Sequence, residues 1–555
     1  MNRVKRLALI SALLMAYAGV ASATTYYIAA NGSDTNNGTT KTTPWQHAPG
    51  MKSCTNACAA GSPKPGDQFI FRGGDTWHVG NSSASPYVGS TGWNWTWNGN
   101  SSNQIYIGVD QTWSAGSSWA RPILSGDNPM STSFVSGCAH DFSGWAQLVN
   151  LNASYLTFDN FEMSGVCWSA QVVENGMVSQ PGGSVTNSII SNFYCHGWTM
   201  TSGASDNFPC ILALGGGNLT DYNQYADDVF DGSDSPHFPV GDTVHCQWSA
   251  ASTGGCASGQ GIYGRAYDVH GSVFRYLSNF MVTTNTHTIH DNLFEYLYST
   301  FASGSMQQHP NVLNNLGGAT GDPLYFYDNI MRHTFVTENV YLAVRTNVYI
   351  FNNVFYDNMN SIFGVLPGGC IRLNSVSNSA ATQTAYIYNN TQGDSSCQIR
   401  FEVANSPLTP WNGTGNFQNN HFIGFSPGSL SSIYICATGG QCSINDNGNE
   451  IYQTTGVANQ QGYVASNNYA PTTGGATIGA GANLSSQCGT FSPDGEFCQG
   501  TSDGASEQSG SGGQIAIDPA ISMVARQSSW DVGAYEFGGS GGTPTPPTGL
   551  TAAVQ

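Results

Sequence analysis

Ile289-His290-Asp291-Asn292-Leu293-Phe294, Phe326-Tyr327-Asp328-Asn329-Ile330-Met331 and Ile350-Phe351-Asn352-Asn353-Val354-Phe355 share one form. An apolar residue is followed by two others, then Asn, then one residue, then a large apolar side chain. Phe417 leads in the same way to Asn420 and Phe422, and Val269 to Ser272 and Phe274. Ile387 leads to Asn390, although Gln392 breaks the last position. Val185 with Ser188, Ile444 with Asn447 and Val464 with Asn467 extend the series less regularly. From Ser272 onward the Asn/Ser anchors are 20, 37, 24, 37, 30, 27 and 20 residues apart.

These spacings fix the kind of repeat. A coil of three short strands and three turns needs roughly 20 residues or more. A four-stranded propeller blade needs about 40–45, so the short spacings exclude it. A leucine-rich repeat would need a Leu lattice that the chain lacks. Coils stacked by parallel pairing lie about 4.8 Å apart, which superposes equivalent side chains. The recurrent Asn then sits at a bend, where its amide can bond to backbone and to the Asn of the next coil. The large apolar residue after it fills the interior, and extra residues leave as surface insertions. The reading is an all-β fold, a right-handed parallel β-helix.

Composition agrees. Only 9% of residues are charged, against 40% hydrophobic and 12% aromatic, and glycine numbers 68. This favours turn-rich strands over long solvated helices or disorder. Arg3, Lys5 and Arg6, the apolar run Leu7 to Val20 and Ala21-Ser22-Ala23 read as a signal peptide over 1–23. Its loss would take the net charge from −19 to −22, which opposes nucleic-acid binding. No later stretch qualifies as a membrane span. The expectation is a secreted monomer, extracellular, cell-surface or periplasmic. The 14 cysteines suit an oxidising compartment. Local spacing points to the pairs Cys54 with Cys58, Cys246 with Cys256, Cys436 with Cys442 and Cys488 with Cys498. Cys370 and Cys397 lie about one coil apart and are expected to bridge adjacent strands.

Along the chain, 24–150 reads as an N-terminal cap region, with strands at Thr25–Ala29 and Gln68–Phe71. Trp93, Trp95 and Trp97 alternate onto one face, as cap lining or as a sugar-stacking platform. Residues 151–537 form the β-helix, with an insertion near 203–260 and a loop-rich closing region. Trp530 to Phe537 reads as a last strand, and 538–555 as a Gly/Pro/Thr-rich tail.

Tyr26-Tyr27-Ile28-Ala29-Ala30-Asn31-Gly32-Ser33-Asp34, then Gly38 and Pro44-Trp45, resembles the start of secreted parallel β-helix proteins of the pectate-lyase-like superfamily. Gly66-Asp67-Gln68-Phe69-Ile70-Phe71-Arg72-Gly73-Gly74 and the Trp530 to Phe537 ending resemble further segments of them. The resemblance implies the fold and polysaccharide as partner. It does not choose among lyase, glycoside hydrolase, epimerase and non-catalytic surface protein. Lyases of several such families use a Lys base, and no Lys follows Lys64. The Gly-His-Gly and Arg-x-Lys motifs of the polygalacturonase type are missing, although Asp227-Asp228 resembles their paired Asp.

Arg265, Arg275, Arg332, Arg345, Arg372 and Arg400 fall in the most regular part of the repeat. Arg372 and Arg400 are expected on adjacent strands, with Arg345 one coil earlier. Such a stripe would pair with uronate carboxylates and acidify the neighbouring proton for β-elimination. Alternatively each Arg is matched by a carboxylate such as Glu338, Glu402, Asp328 or Asp357. His287, His290, His309 and His333 share the stretch. His287 reads as inward and His290 as outward, and His309 lies on an inserted segment, a place for a general base. The candidate catalytic set is therefore Arg345, Arg372, Arg400, His309 and Glu338. Asp227, Asp228 and Asp231, with Asp234 close by, form an acidic stretch that could hold Ca2+ or be solvated. Lyase chemistry on a polysaccharide leads; a non-catalytic adhesion module and a glycoside hydrolase are the alternatives.

Overall fold

The computed structural model describes residues 23–538 except 90–91, 146, 171–175, 181–184, 202–208, 214–220, 239–255, 258, 278, 299–310, 316–322, 336–337, 344–346, 359–368, 376–382, 394–397, 404–412, 425–429, 437–442, 493–494 and 502–522. The described strands form three long parallel sheets of 13, 13 and 11 strands, here called the first, second and third. The chain visits them in turn: Leu324–Tyr327 in the first, Ile330–Phe335 in the second, Glu338–Ala343 in the third, then Asn347–Phe351 back in the first. Each visit pairs in register with the previous one, as Phe326 with Ile350 and Met331 with Phe355. This is a right-handed parallel β-helix, the hand that parallel crossovers take.

Alternation drives every second side chain inward. In the first sheet Phe158, Ile190, Tyr225, Val269, Ile289, Phe326, Ile350, Ile387 and Phe417 occupy one continuous row, all buried. In the second, Phe230, Phe274 and Phe294 stack at 4.7 and 5.0 Å between centroids. The ring spacing repeats the strand spacing because one sheet sets both.

The corner between first and second sheets is an amide ladder. Asn329 Oδ1 accepts from Asn292 N, Asn353 Oδ1 from Asn329 N, Asn390 Oδ1 from Asn353 N, and Asn420 Oδ1 from Asn390 N, all at 2.9–3.1 Å. Each Nδ2 donates to a backbone carbonyl, as Asn353 does to Phe326 O and Phe351 O. Ser272 continues the ladder, its N donating to Asn292 Oδ1. The residue before each rung takes a left-handed φ, as at Asp291 (55°), Asp328 (53°), Asn352 (56°) and Asn389 (55°). Asn and Asp tolerate that region better than other side chains, which is why the repeat reads Asp-Asn or Asn-Asn.

The ladder corrects several expectations. Ser188 belongs to a different corner, where its N donates to Asn223 Oδ1 just before the first-sheet strand Ile189–Ser191. The rung before Ser272 is Asp228, whose Oδ1 accepts from Phe193 N. The far end is Glu450, not Asn447: its Oε2 accepts from Asn420 N at 2.7 Å. Burial pushes the Glu450 carboxyl up to about 8. Asn467 lies outside the solenoid, in the short helix Ala465–Asn467.

The disulfides Cys54–Cys58 and Cys488–Cys498 are as expected. Cys138–Cys167 and Cys195–Cys210 were not legible from local spacing; Cys195 and Cys210 are both wholly buried and meet across the interior. Cys246, Cys397 and Cys442 fall outside the described residues, and Cys370 sits where the register shifts between Gly369 and Ile371. Trp93 and Trp95 are fully buried with Trp97 packed against them, which makes them core and not a sugar platform. Trp530 to Phe537 is a bent segment with a single bridge, Thr501 to Tyr535, not a strand.

Candidate functional site

The interior rows are filled, so chemistry must use outward rows or corners. The second sheet's outward row runs His196, Asp231, Arg275, Glu295, Arg332 on consecutive strands. Arg275 Nη2 lies 3.0 Å from Asp231 Oδ2, and Arg332 Nη2 lies 2.8 Å from Glu295 Oε2. All four side chains are buried. Arg275 and Arg332 are therefore part of an internal ion ladder, matched by Asp231 and Glu295 in place of the carboxylates expected. Burial holds the Glu295 carboxyl above its ordinary range against the pull of both guanidiniums. At the head of the row, His196 Nδ1 is 2.7 Å from Asp234 Oδ2 and Nε2 is 3.1 Å from Glu162 Oε1. Burial alone would lower its pKa, but these two carboxylates raise it to about 9.

The acidic stretch runs from the ladder corner into the strand Val229–Asp231. Asp228 is a wholly buried ladder rung, and burial drives its carboxyl well up. Asp231 is in the strand Val229–Asp231 and bound to Arg275. Asp227 precedes Asp228 with a left-handed φ of 57°. Asp228 and Asp231 are thus held by separate partners, Phe193 N and Arg275.

The third sheet carries what the structure does bring together from the catalytic set. Arg372 and Arg400 are register partners on the adjacent strands Gly369–Ser375 and Gln398–Val403. Ile371 and Leu373 are buried on either side of Arg372, so the half-buried Arg372 projects from the outer face. The register position before Arg372 is Tyr341, so Arg345 does not occupy it; Arg345 itself lies outside the described residues, as does His309. Glu338 opens the third-sheet strand Glu338–Ala343, opposite Asn311. Of the histidines, His287 is not interior: it stacks on Tyr267 at 4.9 Å and leans on Tyr325 at 5.2 Å. His333 bonds to Asp357 at 2.6 Å.

Sequence reasoning missed one constellation on the first sheet's outer face. Asp268 and His270 face Thr288 and His290 across adjacent strands. The signal was present, since both histidines stand two residues before an anchor, Ser272 and Asn292.

No protein-family model matches the chain, and no curated protein matches its sequence. Among solved structures it is similar to a rhamnogalacturonan lyase at 15% identity and a TM-score of 0.41, over 77% of this chain and 87% of that one. It is similar to pectate lyase Pel9A at 14% and 0.39, over 93% and 97%. The GH136 lacto-N-biosidase of Eubacterium ramulus matches at 12% and 0.38, over 81% and 71%. At these values the likenesses carry no argument about chemistry, and the architecture rests on the strand register of the chain itself.

Proposed function

We propose that this chain is an exported carbohydrate-active β-helix protein that binds an acidic polysaccharide on the outer face of its third sheet and cleaves it by β-elimination. The observation that supports this reading is the register pairing of Arg372 with Arg400 on a chain of net charge −19. Two cationic residues one rung apart, about 4.8 Å at the backbone, concentrate positive charge on one face of an acidic chain. A uronate carboxylate is drawn to such a pair and suits bidentate pairing with a guanidinium. Neutralising it acidifies the C5 proton. A base, for which His309 and Glu338 are the candidates, takes that proton; the C4–O bond breaks and its oxygen takes a proton from water, leaving a C4=C5 unsaturated uronate and a new hydroxyl end. Export is supported by the disulfides and by the basic and apolar N-terminus. Among the described residues no helix is long and apolar enough to cross a membrane.

Incubation with pectate, alginate and neutral glycans tests the reading. Ultraviolet absorbance of the unsaturated uronate should grow with an acidic glycan, and Arg372→Ala or Arg400→Ala should lower kcat/KM by about 10²-fold. Reducing ends without that absorbance would make the protein a hydrolase. Binding without products would make it an adhesion module. Wild-type rates in both Arg variants would remove the site.

A further inference from the structure

Asp268 stands between two imidazoles on the outer face of the first sheet. Its Oδ2 lies 3.0 Å from His270 Nδ1 and its Oδ1 lies 3.3 Å from His290 Nε2. One ligand atom from each of the three side chains falls within 4.8 Å of the others. The His290 ring is held from both sides, stacked on His270 at 5.0 Å and on Tyr327 at 4.7 Å. Thr288 Oγ1 donates to Asp268 Oδ1 at 2.7 Å and fixes the carboxylate. Side-chain exposures of 14%, 21% and 14% for Asp268, His270 and His290 leave a small ion a way in.

Two further observations separate this cluster from an ordinary ion pair. His290 Nδ1 lies 2.7 Å from Asp291 Oδ2. The Nδ1 side of the ring is thereby engaged by Asp291, and Nε2 is directed at Asp268. A carboxylate behind a ligating histidine is the usual support of a bound metal. The 3.3 Å between Nε2 and Asp268 is long for a charge-assisted hydrogen bond, which closes to about 2.7–2.9 Å. Then, one rung on, Asp328 is 1% exposed and neither of its carboxylate oxygens has a hydrogen-bond partner; Asp291 Oδ1 has none either. Acidic acceptors therefore surround the histidines in excess of the donors the protein supplies them.

We propose that Asp268, His270 and His290 bind a divalent transition-metal ion of the zinc class, with Asp291 as the positioning residue behind His290. Two imidazole nitrogens and one carboxylate oxygen suit Zn2+, Co2+ or Fe2+ and leave room for water; Ca2+ and Mg2+ prefer all-oxygen shells. Coordination replaces the proton that Asp268 and the imidazoles otherwise share, so binding weakens as acid reprotonates the rings. The site lies on a different sheet from Arg372 and Arg400 and does not rest on the polysaccharide reading.

The full chain, stripped with chelator and then titrated with Zn2+ by calorimetry and with Co2+ by visible absorption, tests this. One ion per chain is expected, with a Co2+ spectrum showing nitrogen ligation and a melting temperature that rises with Zn2+. His270→Gln and His290→Gln should each weaken binding by at least about 100-fold, and Asp291→Asn by about 10–100-fold. His140→Gln should bind as wild type. If a histidine variant fails to fold, Asp291→Asn and the wild-type Co2+ spectrum decide the matter. The proposal is overturned if folded wild type takes up no ion, or if Asp291→Asn binds it as tightly as wild type.

Discussion

At the scale of single residues, position in the coil decides what a side chain does, and identical types take opposite roles. Asp228 is a ladder rung whose carboxyl burial drives well up. Asp268 is held as an anion: burial opposes this, but His270 and His290 outweigh it and depress its pKa. His421, buried beside Gln453, is pushed down to about 4, whereas His196, between two carboxylates, is raised to about 9. The last difference has a measurable consequence. A histidine whose folded pKa exceeds its unfolded value of 6.5 contributes stability that is complete below that value and is lost as pH rises through about 9. Asp234 is 40% exposed, so solvent screening trims the gain to roughly 1–2 kcal/mol. Melting curves from about pH 6 to pH 10 should therefore show a wild-type decline that His196→Gln lacks. Parallel declines in the two proteins would mean that His196 is not the titrating group.

At the scale of the element, the asparagine ladder is the feature that ties coil to coil. Asn353 donates to Phe326 O, Phe351 O and Asn390 Oδ1 and accepts from Asn329. Asn353→Ala orphans buried carbonyls and an amide N–H at once, and should cost about 3–5 kcal/mol, counting 1–3 for each group left unsatisfied. Asn353→Ser should cost less, because Ser272 already serves as a rung, its Oγ accepting from Asp228 N. Equilibrium denaturation of the two variants checks the order. The ladder was also the most legible part of the fold. Anchors at Asn292, Asn329, Asn353, Asn390 and Asn420 could be read because Asn repeated between recognisable apolar residues. Reading failed where chemistry was substituted: Asp228 and Glu450 fill rungs with carboxyls, and Ser188 mimics a rung from the neighbouring corner. The same ambiguity split the arginines. Spacing put Arg372 beside Arg400 correctly. It could not reveal that Arg275 and Arg332 face a different direction and are met by Asp231 and Glu295, since which sheet a strand joins depends on insertions of variable length.

At the scale of the whole molecule, a solenoid whose coils touch only their neighbours leaves apolar outer rows that something must cover. The C-terminal segment does this along two sides. Leu484, Phe491, Phe497 and Trp530 cover Tyr325, Tyr327, Tyr349, Phe351 and Tyr388 on the first sheet. Ala458, Tyr463, Tyr469, Ala534 and Tyr535 cover Val229, Val273, Leu293, Ile330 and Val354 on the second. The left-handed corner asparagines Asn352 and Asn419 bond to this cover. Asn419 exchanges two hydrogen bonds with Ala482, and Asn352 accepts from Arg526 Nη2 while donating to Gln499 O. Because the cover bonds to the outside of coils already paired to one another, its loss need not unravel them. Trp530 is 1% exposed, with the Arg526 guanidinium 5.2 Å from its ring. Trp530→Ala should cost the cover about 3–5 kcal/mol while leaving the coil-to-coil ladder intact. Calorimetry with limited proteolysis should then show a lower transition moved down in temperature, releasing the segment after Gln453 and exposing dye-binding apolar surface. A higher transition, tracked by far-ultraviolet circular dichroism, should stay where it is in the wild type. A single transition that shifts as a unit would mean instead that cover and coils fold as one body.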